Sequence, residues 1–97
     1  EREGVPTLVV SGELDLETAP AARQLLEEVL ERSPRDLVFD FSALRYLDSS
    51  GLGVLLMARR RVPGSIVVIS STQAVRKALS LSDMDAWVRV EGDRSED

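Results

Sequence analysis

Hydrophobic residues along this chain form short apolar runs that alternate with longer stretches of helical spacing. The apolar runs lie at residues 7–11, 37–41, 65–70 and 87–90, and their β-branched composition predicts strands. Apolar residues recur at steps of three and four from Thr18 to Ser33-Pro34, from Leu52 to Pro63-Gly64 and over residues 73–81, which predicts three helices. This alternation indicates an α/β layer fold with right-handed crossovers between parallel strands.

Local signals mark where the helices begin and which faces they bury. Thr18 is a candidate N-cap, and Pro20 fits the first turn of the helix that follows. Either Thr72 or Ser71 is expected to cap the third helix. The predicted inward residues are Ala22, Leu25, Leu26, Val29 and Leu30 in the first helix, Leu52, Leu55 and Leu56 in the second, and Val75, Ala78 and Leu79 in the third.

The chain has 97 residues, of which 43% are hydrophobic, and this suits a single domain with one core. We expect the core to span residues 5–91 and the charged residues 92–97 to form a frayed tail. The nearly all-apolar run at 65–70 is typical of a strand that is buried on both faces of a sheet. Residues 42–47 are predicted to form a turn.

Composition excludes several functional classes. The net charge of −5 argues against a nucleic-acid-binding protein, which normally carries a basic face. The basic run Arg59-Arg60-Arg61 fits the negative C-terminal end of a helix dipole better than it fits a partner contact. The chain contains no cysteine and no histidine, which excludes disulfides, thiolate metal sites and imidazole catalysis.

We expect a soluble, cytoplasmic domain. No apolar run reaches the ~18 residues of a membrane span, and no secretory signal peptide is visible. The lack of cysteine is compatible with the reducing cytoplasm. The chain begins at Glu1 rather than methionine, so we expect either a trimmed protein or one domain of a longer one.

Two polar segments are expected to meet at the edge where strands end and helices begin. They are Gly12-Glu13-Leu14-Asp15 and Asp48-Ser49-Ser50-Gly51. A serine hydroxyl at a helix start can cap the helix or accept a phosphoryl group, because unpaired N–H groups there favour an anion. The residues alone leave both roles open, with the helix cap as the simpler one. Gly51 and the nearby Gly53 are expected to permit close helix-to-sheet packing.

Catalysis and metal binding have less support. Ser49 lacks a neighbouring base, since the chain has no histidine and its lysine, Lys77, lies in another segment. Neither a G-x-S-x-G motif nor a phosphate-binding G-x-x-x-x-G-K-[ST] motif occurs. Asp15 and Asp48 are two carboxylates without a further ligand pattern, so a Mg²⁺ site is weakly supported. Asp15 better fits turn capping or a partner contact.

The sequence resembles the STAS domain, and specifically the anti-anti-sigma factors (anti-sigma factor antagonists) of bacteria. The resemblance spans residues 5–91 and rests on GELD at 12–15 followed by Thr18-Ala19, LVFDFSALRYLDSSGLGVLL at 37–56 and VRKALSLS at 75–82. It implies an α/β STAS fold, with a small mixed β-sheet of about four strands and α-helices packed mainly on one face.

The resemblance also implies a partner-switching regulator rather than an enzyme. In this family the unphosphorylated domain binds an anti-sigma factor that is also a serine kinase of the histidine-kinase-like ATPase superfamily, which frees a sigma factor. Phosphorylation of the serine after the aspartate, here Ser49, dissociates the complex, and a serine phosphatase restores binding. The domain is expected to carry no cofactor, because ATP and Mg²⁺ belong to the kinase.

Carried onto this chain, the resemblance makes Ser49 the phosphoacceptor and Ser50 a residue that caps or supports the helix. Partner contacts are expected from Asp15, Asp48, Ser50, Gly51, Leu52 and Gly53. The alternative is a STAS interaction or scaffold domain of a multidomain sensor or a transporter-associated complex. The intact Ser49 argues against this alternative, whereas the missing initiator methionine favours it.

Three departures from the family pattern are visible. The second helix reaches Pro63-Gly64 about one turn early, where the family has a longer basic helix ending in Gly-Gly. Ser82-Asp83-Met84 replaces the usual Ser/Thr-Gly-Leu, so the third helix lacks its C-terminal glycine. The N-terminal edge strand is mostly missing before Val5, which is expected to leave a sheet edge open.

Overall fold

Strands and helices alternate along the chain. A computed structural model describes residues 4–70 and 72–92. The strands in these residues are β1 (Thr7–Val9), β2 (Gly12–Leu14), β3 (Leu37–Phe41), β4 (Leu44–Leu47), β5 (Ile66–Ser70) and β6 (Arg89–Gly92). The helices are α1 (Ala19–Leu30), α2 (Ser49–Arg61) and α3 (Gln73–Leu81), with a short 3₁₀ helix at Met84–Ala86. The predicted α/β class is confirmed.

Four strands form the main sheet, in the order β1-β3-β5-β6. The expected sheet of about four strands is present. Its predicted mixed character is not found in the described residues, where all of its pairings are parallel. The chain reaches β3, β5 and β6 through α1, α2 and α3 respectively, which supply the crossovers that parallel neighbours require. β1 and β3 each lead first into one strand of a smaller sheet, and that sheet therefore lies at the carboxyl edge of the main one.

One face of the main sheet packs against the helices and forms the core. On β3 the alternate residues Leu37, Phe39 and Phe41 belong to this core, and the ring centroids of the two phenylalanines lie 5.5 Å apart. Val38 points to the opposite face and is buried outside the core cluster. Val67 and Ile69 on β5 point to the opposite face and are only partly buried. The prediction that residues 65–70 are buried on both faces is wrong, because the helices cover a single face.

The predicted inward faces are confirmed at Ala22, Leu26 and Leu30 of α1 and at Leu55 of α2, and they are wrong at other positions. The buried residues are Ala19, Ala22, Leu26 and Leu30 in α1, and Gly51, Val54, Leu55 and Ala58 in α2. Leu25 and Leu56, both predicted to point inward, are exposed, and Leu52 is half-buried. Spacing by three and four does not distinguish the buried face from the face next to it. The buried faces of both helices contain alanine or glycine, which allow close packing. α3 buries Val75 and Leu79 as predicted.

A second, two-stranded sheet was not predicted from the sequence. It pairs β2 with β4 in parallel, over residues predicted as the polar segment after the first strand and as a turn at 42–47. The register shifts between Gly12 and Glu13, so that Arg45 is an extra residue on β4. Arg45 and Tyr46 are therefore both exposed, which disrupts the alternation by which a strand is recognised.

The helix ends follow local sequence signals. α1 begins after Thr18 with Pro20 in its first turn, and α2 ends at Arg61, before Pro63. α3 has the predicted bounds and ends without a glycine, because Asp83 adopts a φ of +60°. Aspartate is one of the few residues besides glycine that tolerate this left-handed conformation.

The last strand begins later than predicted. The N–H of Trp87 donates to the carbonyl of Met84 at 2.8 Å, which keeps Trp87 in the turn, and β6 starts at Arg89. Gly92 belongs to β6 instead of a frayed tail, and residues 93–97 lie outside the described residues. β1 and β6 are the outer strands of the described main sheet. The open edge was predicted from the missing strand before Val5, and this stays a prediction because residues 1–3 lie outside the described residues.

Candidate functional site

The two polar segments singled out in the sequence lie side by side. Leu14 on β2 pairs with Leu47 on β4, and Asp15 and Asp48 are the residues that follow them. The N–H of Asp48 donates to the carbonyl of Leu14 at 3.3 Å. The prediction that these segments meet where the strands end is confirmed, and the small sheet is what brings them together.

Asp15 closes the turn between β2 and α1. Its Oδ1 accepts hydrogen bonds from the N–H groups of Glu17 at 3.0 Å and Thr18 at 3.1 Å. These bonds, the one from the N–H of Thr18 above all, favour the charged carboxylate and lower the pKa of Asp15 below its ordinary value. Asp15 is thus a turn cap whose carboxylate remains partly exposed.

Two threonines occupy the predicted N-cap positions without capping their helices through their side chains. Thr18 Oγ1 donates to the carbonyl of Glu13 at 2.9 Å, which fastens the start of α1 to β2. Thr72 Oγ1 donates to the carbonyl of Leu44 at 3.1 Å, which fastens the start of α3 to β4. Ser71, the other candidate cap, lies outside the described residues. Both threonines therefore hold the small sheet in place.

Asp48, and neither of the serines, caps α2. Its Oδ1 accepts the N–H of Ser50 at 2.9 Å. Ser49 is the first helical residue and is exposed, and Ser50 is half-buried. Among the described residues no hydrogen bond of the Ser49 hydroxyl is found. The cap role that competed with phosphate acceptance is thus filled by Asp48, which leaves the Ser49 hydroxyl accessible at a helix N-terminus.

Gly51 and Gly53, both expected to allow close packing, differ in surroundings. A Cβ on Gly51 would lie 2.8 Å from Leu14 Cγ and would clash with Leu47 Cδ1. Gly51 therefore lets the first turn of α2 rest on the small sheet. A Cβ on Gly53 would have no atom within 4 Å apart from the neighbouring residues and backbone of its own helix, and Gly53 is exposed. The packing prediction holds for Gly51 and is wrong for Gly53, which is open to a partner.

The exposed face of α2 extends from Ser49 toward the C-terminal end of the helix. Leu52, Gly53 and Leu56 follow at steps of three, four and seven residues, which places all four on one side of the helix. Leu56 is exposed and Leu52 is half-buried, so this side presents apolar atoms to solvent. An exposed hydroxyl and partly exposed apolar side chains together are typical of a binding surface.

A shallow groove of ≈ 500 Å³ lies beside this helix start. It is lined by Asp15, Leu16, Glu17, Tyr46 and Asp48. Sequence reasoning identified the two aspartates and missed the other three. The available signals were an apolar Leu16 within an acidic turn and an aromatic residue, Tyr46, two positions before Asp48 of the DSSG motif.

The groove is acidic. Asp15, Glu17 and Asp48 supply three carboxylates to it. Two ion pairs are found in the described residues, Glu13 with Arg45 at 3.4 Å and Glu91 with Arg89 at 3.2 Å, and neither includes these carboxylates. The described residues contain no group of three or more acidic, histidine or cysteine side chains arranged to hold a metal ion. Carboxylates that line a surface groove complement a cationic protein surface.

Comparisons with known proteins identify the family of this chain. A family model described as Mlab, STAS domain, matches residues 1–90. The chain is also 32% identical over 92 residues to the anti-sigma-F factor antagonist RsfB of Mycobacterium tuberculosis, and the alignment covers 93% of this chain and 75% of that protein. The chain belongs to the STAS domain family of anti-sigma factor antagonists. The resemblance that the sequence motifs indicate is therefore confirmed.

Solved structures show that the STAS fold is shared as well. An anti-sigma factor antagonist from Mycobacterium paratuberculosis matches with a TM-score of 0.88 at 31% identity, over 99% of this chain and 84% of that one. The unphosphorylated form of the anti-sigma factor antagonist SpoIIAA matches with a TM-score of 0.80 at 21% identity, over 99% and 86% of the two chains. The predicted STAS fold is confirmed.

Two other features of this STAS domain lie away from the groove. Arg59, Arg60 and Arg61 occupy the last turn of α2, at the end opposite Ser49, where they complement the helix dipole. No helix in the described part of the chain is long and apolar enough to cross a membrane.

The functional roles predicted for the site residues stay predictions. They are phosphorylation of Ser49 and partner binding by Asp15, Asp48, Ser50, Gly51, Leu52 and Gly53.

Proposed function

We propose that this domain is a cytoplasmic anti-sigma factor antagonist whose unphosphorylated form binds an anti-sigma factor and so frees a sigma factor. Its similarity to named antagonists supports this function. The observation that carries the proposal is the exposed Ser49 hydroxyl at the first residue of α2, with Asp48 already serving as the helix cap. The domain acts by binding, without catalytic groups or a cofactor of its own.

The switch in this proposal is phosphorylation of Ser49 by the anti-sigma factor, acting as a serine kinase of the histidine-kinase-like ATPase superfamily. ATP and Mg²⁺ are bound by the kinase, which transfers the phosphoryl group to Ser49 Oγ while the hydroxyl proton leaves. A serine phosphatase hydrolyses the phosphoserine and restores the hydroxyl. The domain supplies the acceptor and the docking surface.

Electrostatics explains how one phosphoryl group changes binding without unfolding the domain. Phosphoserine adds about −1.5 to −2 charges, and the free N–H groups at the start of α2 accommodate an anion there. Ser49 directly follows Asp48 in the acidic groove, so the added charge increases the cost of drying this surface against a partner. A penalty of about 1.4 kcal/mol already lowers the affinity tenfold.

A phosphorylation assay tests the proposal. The domain is mixed with each ATPase-type anti-sigma factor encoded in the same genome and with Mg-ATP, and the phosphate is located by mass spectrometry. We expect phosphate on Ser49, none in the Ser49→Ala variant, and unchanged phosphorylation in the neighbouring Ser50→Ala control. Phosphate on Ser50 would contradict the assignment of Ser49. Neither binding nor phosphate with any candidate would favour the scaffold alternative.

A further inference from the structure

Two large, exposed side chains with apolar surface, Leu16 and Tyr46, flank the acidic groove. Leu16 is 79% exposed and Tyr46 is 49% exposed, and both line the groove together with Asp15, Glu17 and Asp48. Neither belongs to the hydrophobic core. Exposed apolar atoms grouped with charged groups at a surface depression indicate a protein-binding site.

The turn after β2 holds Leu16 outward. Asp15 Oδ1 accepts the N–H groups of Glu17 and Thr18, and the N–H of Asp15 donates to Thr18 Oγ1 at 2.9 Å. Leu16 lies inside this closed set of bonds, so its backbone position is fixed while its side chain stays in solvent. A contact residue whose backbone is already fixed loses less entropy on binding than one in a flexible loop.

The register shift in the small sheet places Tyr46. Glu13 is the register partner of Tyr46, and the extra residue Arg45 reaches back to Glu13 at 3.4 Å. Arg45 is thereby engaged with Glu13, which is not among the residues that line the groove. The groove is therefore lined by the Tyr46 ring and by three carboxylates that form none of the ion pairs found in the described residues.

We propose that Leu16 and Tyr46 are the apolar anchors of the partner interface, and that the partner inserts an apolar side chain flanked by arginine or lysine. The inference rests on the proposed function and adds the residues that supply affinity. Burial of the two anchors provides the dry contact, and the carboxylates of Asp15, Glu17 and Asp48 select a cationic rim. Tyrosine is among the residues that most often dominate such interfaces.

The test uses the full chain and the ATPase-type anti-sigma factors of the same genome, with affinities measured by isothermal titration calorimetry. We expect Leu16→Ala and Tyr46→Ala each to weaken binding at least ~10-fold, as interface anchors do, and Leu16→Lys to weaken it further by repelling a cationic rim. Leu81→Ala is the matched control, because Leu81 is 76% exposed at the far end of α3, and it should bind like the unmodified domain.

Thermal unfolding of every variant separates binding from folding, and the Leu16 and Tyr46 variants should keep the melting temperature of the unmodified domain. If the unmodified domain binds and both alanine variants bind as tightly as it does, the assignment of Leu16 and Tyr46 as anchors is overturned while the proposed function stands. If Leu81→Ala weakens binding as much as Leu16→Ala, the anchor assignment is also overturned. If the unmodified domain neither binds nor becomes phosphorylated, the proposed function and the anchors both fail.

Discussion

The two sheets of this domain divide stability and recognition between them. The main sheet pairs β3 with β5 over five residues, and its core-facing side chains are buried. The small sheet pairs β2 with β4 over three residues with a register shift, and it leads directly into Asp15 and Asp48. A short, irregular sheet fastened to a well-packed one can therefore present polar groups at fixed positions without placing them in the core.

The largest expected effect tests the main sheet. Phe39→Ala removes a fully buried ring from β3 and should lower the free energy of unfolding by about 3–5 kcal/mol, measured by urea denaturation. Val9→Ala, an exposed position on β1 of the same sheet, is the control and should change it by less than about 0.5 kcal/mol. Equal effects of the two substitutions would contradict a buried, single-faced core.

Gly51→Ala tests the contact between α2 and the small sheet. The added methyl group would overlap Leu14 and Leu47, so we expect a loss of about 1–3 kcal/mol in the free energy of unfolding. The matched control is Gly53→Ala in the same helix, which meets no atom and should stabilise by up to about 1 kcal/mol through helix propensity.

The same pair of glycine variants sharpens the comparison further. If Gly53 lies in the partner interface, Gly53→Ala weakens binding to the anti-sigma factor although the domain is at least as stable as before. Destabilisation by both substitutions to a similar degree would contradict the distinction between a packed Gly51 and an open Gly53.

Asp48→Ala should cost about 1 kcal/mol of stability, because the N–H of Ser50 loses its cap. Asp48→Asn keeps the accepting oxygen and removes the charge, so it should retain most of the stability in a thermal melt. A loss in Asp48→Asn as large as that in Asp48→Ala would show that charge, and not the capping hydrogen bond, is what Asp48 contributes to the helix start.

The smallest effect concerns Asp15 and pH. Its pKa in the folded domain lies below the ordinary value of 3.8, so the ionised carboxylate stabilises the fold above that value, and this contribution is lost as the pH falls through the lowered pKa. Asp15→Asn should therefore flatten the fall in stability on the acid side, measured by thermal melts between pH 2 and pH 6. A parallel shift at every pH would contradict this linkage.

Much of the main sheet was predictable because its pattern is regular. The apolar run of β3 and the helical spacing of α3 gave the observed bounds, and Pro63 marked the end of α2. The small sheet was not predictable by the same means. The register shift at Gly12 and Glu13 makes Arg45 and Tyr46 both exposed, so no alternation remains in β4.

The candidate site was predictable in its residues but not in their division of labour. The DSSG motif and its resemblance to the STAS family pointed to Asp48 and Ser49. Only the geometry shows that Asp48 caps the helix, that Gly51 is buried and that Leu16 borders the same groove. These distinctions depend on contacts between β2, β4 and α2, which are distant in sequence.

The most direct test of a charge switch on a stable scaffold compares the domain with and without phosphate on Ser49. Affinity for the ATPase-type anti-sigma factor is measured by calorimetry and the melting temperature by circular dichroism on the same samples. We predict at least ~10-fold weaker binding and a melting temperature changed by less than about 4 °C, which corresponds to under about 1 kcal/mol for a domain of this size. Unchanged affinity, or a large fall in melting temperature, would contradict the account.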